Sequence, residues 1–446
     1  MQHDDPRRLL QPWGAIAIIV GIVIGAGIFK TPSMVAGISG DPGWAITIWA
    51  AGAFLSLAGA LCYAELSTTY PHAGGDYHFL AKAYGKEASF LYAWAKAMVI
   101  NTGAIALLAF VFGDYMSEVL RLGEHSAVIW ALLIVIALTL FNILGIQASA
   151  GLQTTLLVLQ LAGLAAMVFA GVFLTTPTQP NPAAFSSAPP LGLMGLAMVF
   201  VLLTFGGWNE AAYISSEVKG GPKAVVPVIV ISLGIITVAY LLINWALIHG
   251  LGISGLAQSK APGAAVMQAA YGPVGQKIIG LVVALAALTS INATMVVGAR
   301  SNYALGKDWP QLGFLAQWEG EKGAPTLAYL IQGAICLALV GFGALQTDGF
   351  EAMVEFTAPV FWVFLTLVGI SVFVMRAREP LTQRPFKVPL YPMTPILFCA
   401  SSAYLAYSSV MYAASRSAVH VSLWVMAAGV AAMVALKLAH RLVRKP

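Results

Sequence analysis

Apolar runs of about twenty residues recur along the whole sequence, and no other feature constrains the fold as strongly. Each run is long enough to cross about 30 Å of hydrocarbon as a helix. The remaining segments leave no room for a soluble domain, and only 9% of the 446 residues are charged. We therefore expect an all-α polytopic membrane protein. Its twelve predicted transmembrane helices lie at roughly 13–38, 43–67, 88–117, 126–147, 150–175, 191–217, 225–250, 273–302, 325–346, 352–375, 391–415 and 419–439.

The distribution of basic residues predicts the orientation of these helices, because Lys and Arg in short loops are retained in the cytoplasm. With an even number of spans both termini lie on one side, which would hold seventeen of the 23 basic residues. Only four fall on the other side. We expect an integral protein of the cytoplasmic membrane, with the N-terminus (1–12) and the C-terminus (440–446) in the cytoplasm. No clustered basic face suits nucleic acid, and the expected surroundings are the lipid bilayer.

The cysteines and histidines do not form a pattern typical of an enzyme. The three cysteines fall inside predicted spans and the seven histidines are scattered, without metal-ligand spacing or a nucleophile beside a base. We expect no cofactor, apart from Na⁺ or H⁺ as a candidate coupling ion. A membrane enzyme and a channel remain as alternative hypotheses for the function. A channel would need a continuous polar path through the membrane.

Glycines interrupt two spans in the middle, at Gly25-Ala26-Gly27 and at Gly206-Gly207. Glycine permits unusual backbone angles and lowers helix propensity, so a helix can unwind there. Unwound backbone is tolerated in hydrocarbon only where it lines a cavity, and paired breaks therefore point to a ligand site. They predict two inverted five-helix repeats, 13–175 and 191–375, followed by an accessory pair of helices at 391–439. The alternative is that these glycines only let helices pack closely.

Four segments, in this order along the chain, carry a resemblance to a known family: 25–29 (GAGIF), 63–66 (YAEL), 205–209 (FGGWN) and 384–392 (RPFKVPLYP). The sequence resembles the amino acid, polyamine and organocation superfamily, and within it the L-type amino acid transporter branch with its bacterial relatives. The resemblance implies a LeuT-like fold of five plus five inverted helices with discontinuous helices 1 and 6. It also implies that access to a central site alternates between the two sides of the membrane.

The resemblance implies that the substrate carboxylate binds the N–H groups of the first break and that its ammonium binds freed carbonyls of both breaks. The physics agrees, since a helix N-terminus favours an anion and unpaired carbonyls favour a cation. We therefore predict a secondary active transporter of L-amino acids, of which small or branched neutral ones fit best. The predicted substrate-binding residues are Val23, Ile24, Gly25, Ala26, Gly27, Ile28, Asn101, Thr102, Leu203, Thr204, Phe205, Gly206, Gly207, Trp208, Asn209, Ser290 and Asn292.

The alternative for the polar residues of the third and eighth spans is an interhelical hydrogen bond without ligand contact. The sequence also departs from the family pattern at two places. Leu203 stands where the family has a gating aromatic residue, and Gln160 stands where many relatives have a lysine near the first break.

Two charged residues lie at unusual depth, Lys30 and Glu210, three residues beyond the first and second breaks. Charges inside a membrane are costly and mark functional sites by default. Together with Gln160 they are our candidates for coupling or gating. Lys30 and Glu210 either pair with each other or are solvated separately. Glu210 alternatively carries a proton or attracts a cationic substrate, which keeps a carrier of cationic amino acids or polyamines as a second hypothesis.

The eighth span contains a spacing similar to that of the cation-binding helix in sodium-coupled symporters of this fold. Hydroxyl and carbonyl oxygens are suitable sodium ligands, and the candidate set is Gly21, Ile24, Ala286, Thr289 and Ser290. The alternative is that the hydroxyls bond back to their own helix. Exchange, proton symport and sodium symport all remain open at this point.

The outer loop between the third and fourth spans, 118–126, contains no cysteine. Animal light subunits of the resembled branch use a cysteine in this loop to bond a heavy subunit. We therefore expect no disulfide-linked heavy subunit and a protein that works as a monomer, with an amino-acid substrate and the lipid bilayer as its partners.

Overall fold

The computed structural model describes residues 11–443 apart from 73, 145–149, 178–179, 211–217, 221, 318–324 and 414–416. Within these residues the chain forms α-helices joined by short turns and contains no β-strand. The helices are α1 Pro12–Val23, α2 Thr31–Ser39, α3 Pro42–Thr69, α4 Gly75–Tyr84, α5 Lys86–Ala95, α6 Asn101–Val119, α7 Ser126–Ile143, α8 Ala150–Phe169, α9 Leu191–Thr204, α10 Pro222–Gln258, α11 Pro262–Asp308, α12 Thr326–Ala344, α13 Gly349–Arg378, α14 Met393–Ala413 and α15 Ser417–Val443.

Nine helical segments in the described part of the chain are long and apolar enough to cross a membrane, which confirms the prediction of an all-helical membrane protein. Two further apolar helices, α1 and α9, are shorter because each ends at a glycine break. The eleventh predicted span corresponds to α14, which is not among the nine. Every predicted span therefore overlaps a helix. The helices of three predicted spans, α1, α9 and α14, are not among the nine long apolar segments.

Two helices continue past the predicted span limits because a glycine bends the chain instead of ending the helix. Helix α10 bends at Gly252 (φ 73°) and α11 bends at Gly272 (φ 67°), which precedes Pro273. Positive φ angles of this kind are accessible to glycine without steric cost. The predicted spans stop at 250 and restart at 273, so they omit two short helical pieces of this connection. Helix α4 lies between the second and third predicted spans and is not part of either.

Helix packing places the interrupted segments at the centre of the molecule. Helix α10 packs along α1, α2 and α3, while α11 packs along α6, α8 and the 3₁₀ turn Ala26–Phe29. Three aromatic side chains fill the space beside the end of α9: the ring of Tyr240 lies 5.5 Å from that of Trp49 and 4.9 Å from that of Phe205. All three are buried, so the breaks lie within a tightly packed interior.

Candidate functional site

The first break separates α1 from α2. The α-helix ends at Val23, and Ile24 and Gly25 take non-helical backbone angles before the 3₁₀ turn Ala26–Phe29 begins. The Gly25 N–H donates to the Val23 carbonyl at 2.7 Å. The first N–H groups of a new helical turn have no partner within that turn. The break therefore presents both backbone donors and backbone acceptors inside the protein.

The second break follows α9 and lies directly against the first. Gly206 donates its N–H to the Leu203 carbonyl at 3.0 Å, and Gly207 has a φ of 106°. A Cβ atom at Gly207 would lie 2.9 Å from Cγ2 of Ile22, so only glycine allows α1 to approach this closely. The Gly207 N–H donates to Asn209 Oδ1 at 3.2 Å, which closes the turn before Trp208–Glu210.

Tyr240 of α10 joins the two breaks. Its buried hydroxyl lies 2.7 Å from the carbonyl oxygen of Val23 and 3.1 Å from that of Thr204, the last residues of α1 and α9. Tyr240 is not predictable from the sequence as a site residue, because an aromatic residue in an apolar run is not distinguishable from ordinary core. The structure thus brings the ends of two helices, 181 residues apart in sequence, to one phenol.

Gln160 lies beside the first break, where its Nε2 donates to the carbonyl of Ile24 at 2.5 Å. In the candidate sodium set this carbonyl is a ligand, and a second ligand, the carbonyl of Ala286, accepts a hydrogen bond from Thr289 Oγ1 at 2.8 Å. Ser290 approaches the break from α11, since a Cβ at Gly25 would lie 3.5 Å from its Oγ. Two of the candidate sodium ligands therefore already accept hydrogen bonds from protein donors.

The polar candidates of the third and eighth spans have different surroundings. Asn101 and Thr102 follow a π-helical turn, Lys96–Ile100, and are buried. Among the described residues neither Asn101 Nδ2 nor Thr102 Oγ1 has a hydrogen-bond partner. Asn292 instead accepts a hydrogen bond from Asn142 of α7 at 2.8 Å. The structure thus places Asn292 in a contact between helices and leaves polar atoms of the other two unpaired.

Lys30 is completely buried at the end of the first break. Its Nζ lies 2.8 Å from a carboxylate oxygen of Asp114 on α6 and 3.6 Å from one of Asp348, the residue before α13. It also donates to the carbonyl of Lys260 at 3.2 Å. These contacts tie the start of α2 to three other parts of the chain. Asp114 lies within a predicted span, and a carboxylate at such a depth is the sequence feature that could have indicated a partner for Lys30.

Tyr115, the neighbour of Asp114, reinforces the same connection. Its hydroxyl donates to the carbonyl of Phe29 at 2.8 Å and accepts from the N–H of Gly263 at 3.1 Å. The other predicted charge, Glu210, has a described backbone, but its side chain lies outside the described residues. The described carboxylate partners of Lys30 are Asp114 and Asp348.

Glu65 joins two of the four sequence motifs. This buried carboxylate of α3 accepts from Arg376 Nε at 2.7 Å and from Arg376 Nη2 at 2.5 Å. It also accepts from the backbone N–H of Val388 at 2.7 Å, and Arg384 Nε lies 3.5 Å away. The motifs 63–66 and 384–392 are therefore two sides of one charge-assisted contact, and their sequences alone do not indicate that they meet.

A narrow cavity lies beside the second break, with room for about one water-sized group. Gly206, Trp208 and Asn209 form one side of it, and α3, α13 and α14 form the others. The ring of Trp208 packs against Tyr63 at 5.2 Å and Phe398 at 6.1 Å. Three predicted substrate-binding residues thus line an enclosed space at the break.

Two helices that are interrupted at glycines and meet inside an all-helical membrane protein are typical of a membrane transporter of small solutes. The chain belongs to the amino acid permease family, whose sequence profile matches residues 10–434. This confirms the resemblance stated from the four motifs. Members of this family are membrane amino acid transporters, so the chain is not an enzyme.

Three relatives illustrate the similarity. The chain is 27% identical over 417 residues to the serine/threonine exchanger SteT of Bacillus subtilis, covering 92% of this chain and 93% of that protein. It is 27% identical over 403 residues to the human b(0,+)-type amino acid transporter 1, covering 89% and 81%. It is also 27% identical over 397 residues to the human cystine/glutamate transporter, covering 87% and 78%.

Proposed function

We propose that this protein is a secondary active transporter that carries small or branched neutral L-amino acids across the cytoplasmic membrane by alternating access. The observation that carries the proposal is the meeting of the two glycine breaks at the hydroxyl of Tyr240. Unwound backbone from two helices at one interior point supplies donors and acceptors for a zwitterion. The names of the relatives, which are amino acid transporters and exchangers, support the same substrate class.

The substrate carboxylate would bind the N–H groups of Ala26 and Gly27, at the start of the turn that leads into α2. It would also bind the N–H of Gly25, which would have to release the Val23 carbonyl to which it donates. The substrate ammonium would bind the carbonyl oxygens of Val23, Leu203 and Gly206. Two of these carbonyls already have partners: Val23 accepts from Tyr240 and from the Gly25 N–H, and Leu203 accepts from the Gly206 N–H. A carbonyl oxygen has two lone pairs, so Leu203 can accept a second donor directly, whereas Val23 can accept the substrate ammonium only once the Gly25 N–H turns to the substrate carboxylate.

The preference for neutral side chains rests on the cavity beside the second break. Its lining is mainly aliphatic and aromatic, with leucines from α3, α9, α13 and α14 and no charged residue among its described lining. A charged side chain entering it would lose hydration without gaining a partner. The cationic alternative depends on Glu210, and no described contact favours it.

The proposed architecture is the five-plus-five inverted repeat with twelve transmembrane helices, both termini in the cytoplasm and a monomer as the working unit. On this topology the contacts of Lys30 lie on the outer side of the site. Tyr115 and Lys30 together hold the start of α2 against α6 and α13. These contacts would close the outer path to the substrate, and movement of α2 away from α6 and α13 would open that path.

Uptake into liposomes by the purified protein tests the proposed function. We expect saturable uptake of a labelled neutral amino acid that is accelerated by the same amino acid inside the vesicles. Lysine and a polyamine serve as competitors for the cationic alternative. Uptake that does not saturate would indicate a channel, and absence of uptake and of exchange for all twenty amino acids would overturn the proposal.

We also propose that transport does not require sodium, because Gln160 points the partially positive N–H end of its amide at the Ile24 carbonyl and so opposes a cation at this place. Gln160→Leu leaves this buried carbonyl unpaired, which costs about 1–3 kcal/mol, and uptake should fall roughly tenfold. Gln160→Lys restores a donor and should retain most uptake. The measurement is initial uptake in sodium and in choline medium. Loss of wild-type uptake in choline would contradict the proposal.

A further inference from the structure

Two residues that line the cavity beside the second break each carry a buried polar atom without a partner among the described residues. These atoms are Oγ of Ser56, on α3, and Nε1 of Trp362, on α13, and their side chains line the cavity. Ser56 is 0% exposed and Trp362 is 3% exposed. Within the described part of the chain neither atom has a hydrogen-bond partner. Unpaired donors are costly in the interior of a membrane protein, so a ligand group that pairs with both would bind favourably.

The rest of the cavity restricts what that group can be. Most of its other lining is apolar, including Leu55, Leu202 and Phe361, and the space accepts about one water-sized group. A carboxylate or an ammonium would lie there without a counter-charge. A carboxamide would be too large. A hydroxyl group has the right size, because it can accept from an indole N–H and also exchange a hydrogen bond with a serine hydroxyl.

The cavity is in reach of the substrate. Gly206 and Asn209 line it, and both belong to the residues proposed to bind the substrate. A short side chain that leaves the amino acid backbone at the second break therefore has this cavity next to it. The γ atom of such a side chain, which is two bonds from the α-carbon, is the atom that would enter the cavity.

We propose that Ser56 and Trp362 form a hydroxyl-recognising subsite that selects serine and threonine over apolar amino acids of the same shape. This inference rests on the proposed function. Trp362 Nε1 donates to the substrate hydroxyl, and Ser56 Oγ pairs with the same hydroxyl. The methyl group of valine fills the same space but leaves both protein atoms unpaired. A site of this kind rejects the isostere more strongly than an apolar pocket rejects an added hydroxyl.

The test compares isosteric pairs in liposomes that contain the full-length protein. Competition against labelled threonine is measured with threonine and valine, and with serine and 2-aminobutyrate. We expect the hydroxylated member of each pair to compete at least about tenfold better in the wild type. Trp362→Phe keeps a ring and removes the donor, and Ser56→Ala removes the hydroxyl. Each should bring both ratios close to one while uptake of labelled valine persists.

Two matched variants control for the substitutions themselves. Trp44→Phe removes another unpaired buried indole N–H at the far end of α3, and Ser409→Ala removes a hydroxyl of α14 that donates to its own helix. Both should leave the ratios unchanged. Equal competition by threonine and valine in the wild type, or wild-type ratios in both Trp362→Phe and Ser56→Ala, would overturn the subsite. In either case saturable amino acid uptake would still support the proposed function, whereas its absence would remove both.

Discussion

Replacing Lys30 with methionine is expected to reduce amino acid uptake at least about tenfold, since breaking a buried ion pair costs roughly 3–5 kcal/mol. The change removes the ammonium that the carboxylates of Asp114 and Asp348 share as their paired cation. Two carboxylates that no longer share a cation repel each other in a low-dielectric interior. The same variant should unfold at a lower temperature in detergent. Initial uptake rates and thermal unfolding of the purified protein measure both effects.

Two further variants make this prediction specific. Lys30→Met combined with Asp114→Asn removes one of the unpaired carboxylates and should recover part of the stability. Lys260→Met is the same substitution close by, but Lys260 contributes its backbone carbonyl to the contact, which the substitution keeps. The ammonium of Lys260 also attracts the Asp114 carboxylate, so we expect a loss that is much smaller than that of Lys30→Met. Equal behaviour of Lys30→Met and Lys260→Met would show that the buried ion pair has no role in transport.

Replacing Glu65 with glutamine is expected to be the second severe change. Glu65 is 2% exposed and is bound by the guanidinium of Arg376 and the N–H of Val388. Glutamine has nearly the same shape but no charge, and its amide nitrogen would face a donor. Losing one partner of a buried charge pair costs about 3–5 kcal/mol. We expect less folded protein in the membrane and a lower unfolding temperature, measured by fluorescence-detected chromatography after heating.

Glu379→Gln is the matched control for Glu65→Gln. Hydrogen bonds from the Lys82 ammonium and then from the Tyr70 hydroxyl lower the pKa of Glu379. Burial, followed by the hydrogen bond to Glu379, raises the pKa of Tyr70 to about 12. The Lys82–Glu379 pair is partly exposed, at 32% and 35%. Pairs of this kind contribute about 0–1 kcal/mol. A loss as large in Glu379→Gln as in Glu65→Gln would contradict the distinction between buried and exposed pairs.

The sequence predicts those features that depend on the chemistry of one segment of chain. Apolar runs predict the membrane helices, and paired glycines predict where α1 and α9 end. The position of Gln160 follows from the family resemblance. Helical geometry would also have separated Ser290 from Asn292, because residues two positions apart lie about 200° apart around a helix. Only one of them can face the first break, and the structure turns Asn292 toward Asn142.

The features that the sequence does not predict are contacts between helices far apart in the chain. Asp114 and Asp348 meet Lys30 only after α6 and α13 pack beside the first break. Glu65 meets Arg376 across 311 residues. Local pattern cannot fix such pairings, because many arrangements of helices bury the same apolar residues equally well. The charge of Lys30 predicts that it needs a partner, but packing determines which one.

One phenolic proton at Tyr240 serves two carbonyl groups. The hydroxyl can donate to Val23 or to Thr204 at any moment, so it holds α1 and α9 in turn and not together. A substrate ammonium has three N–H donors. In the proposed binding mode it would bind the carbonyl of Val23 at the first break together with those of Leu203 and Gly206 at the second, and so hold both broken helices at once. The arrival of the amino acid would thereby change how strongly the two helices are joined, without moving any charged residue of the protein.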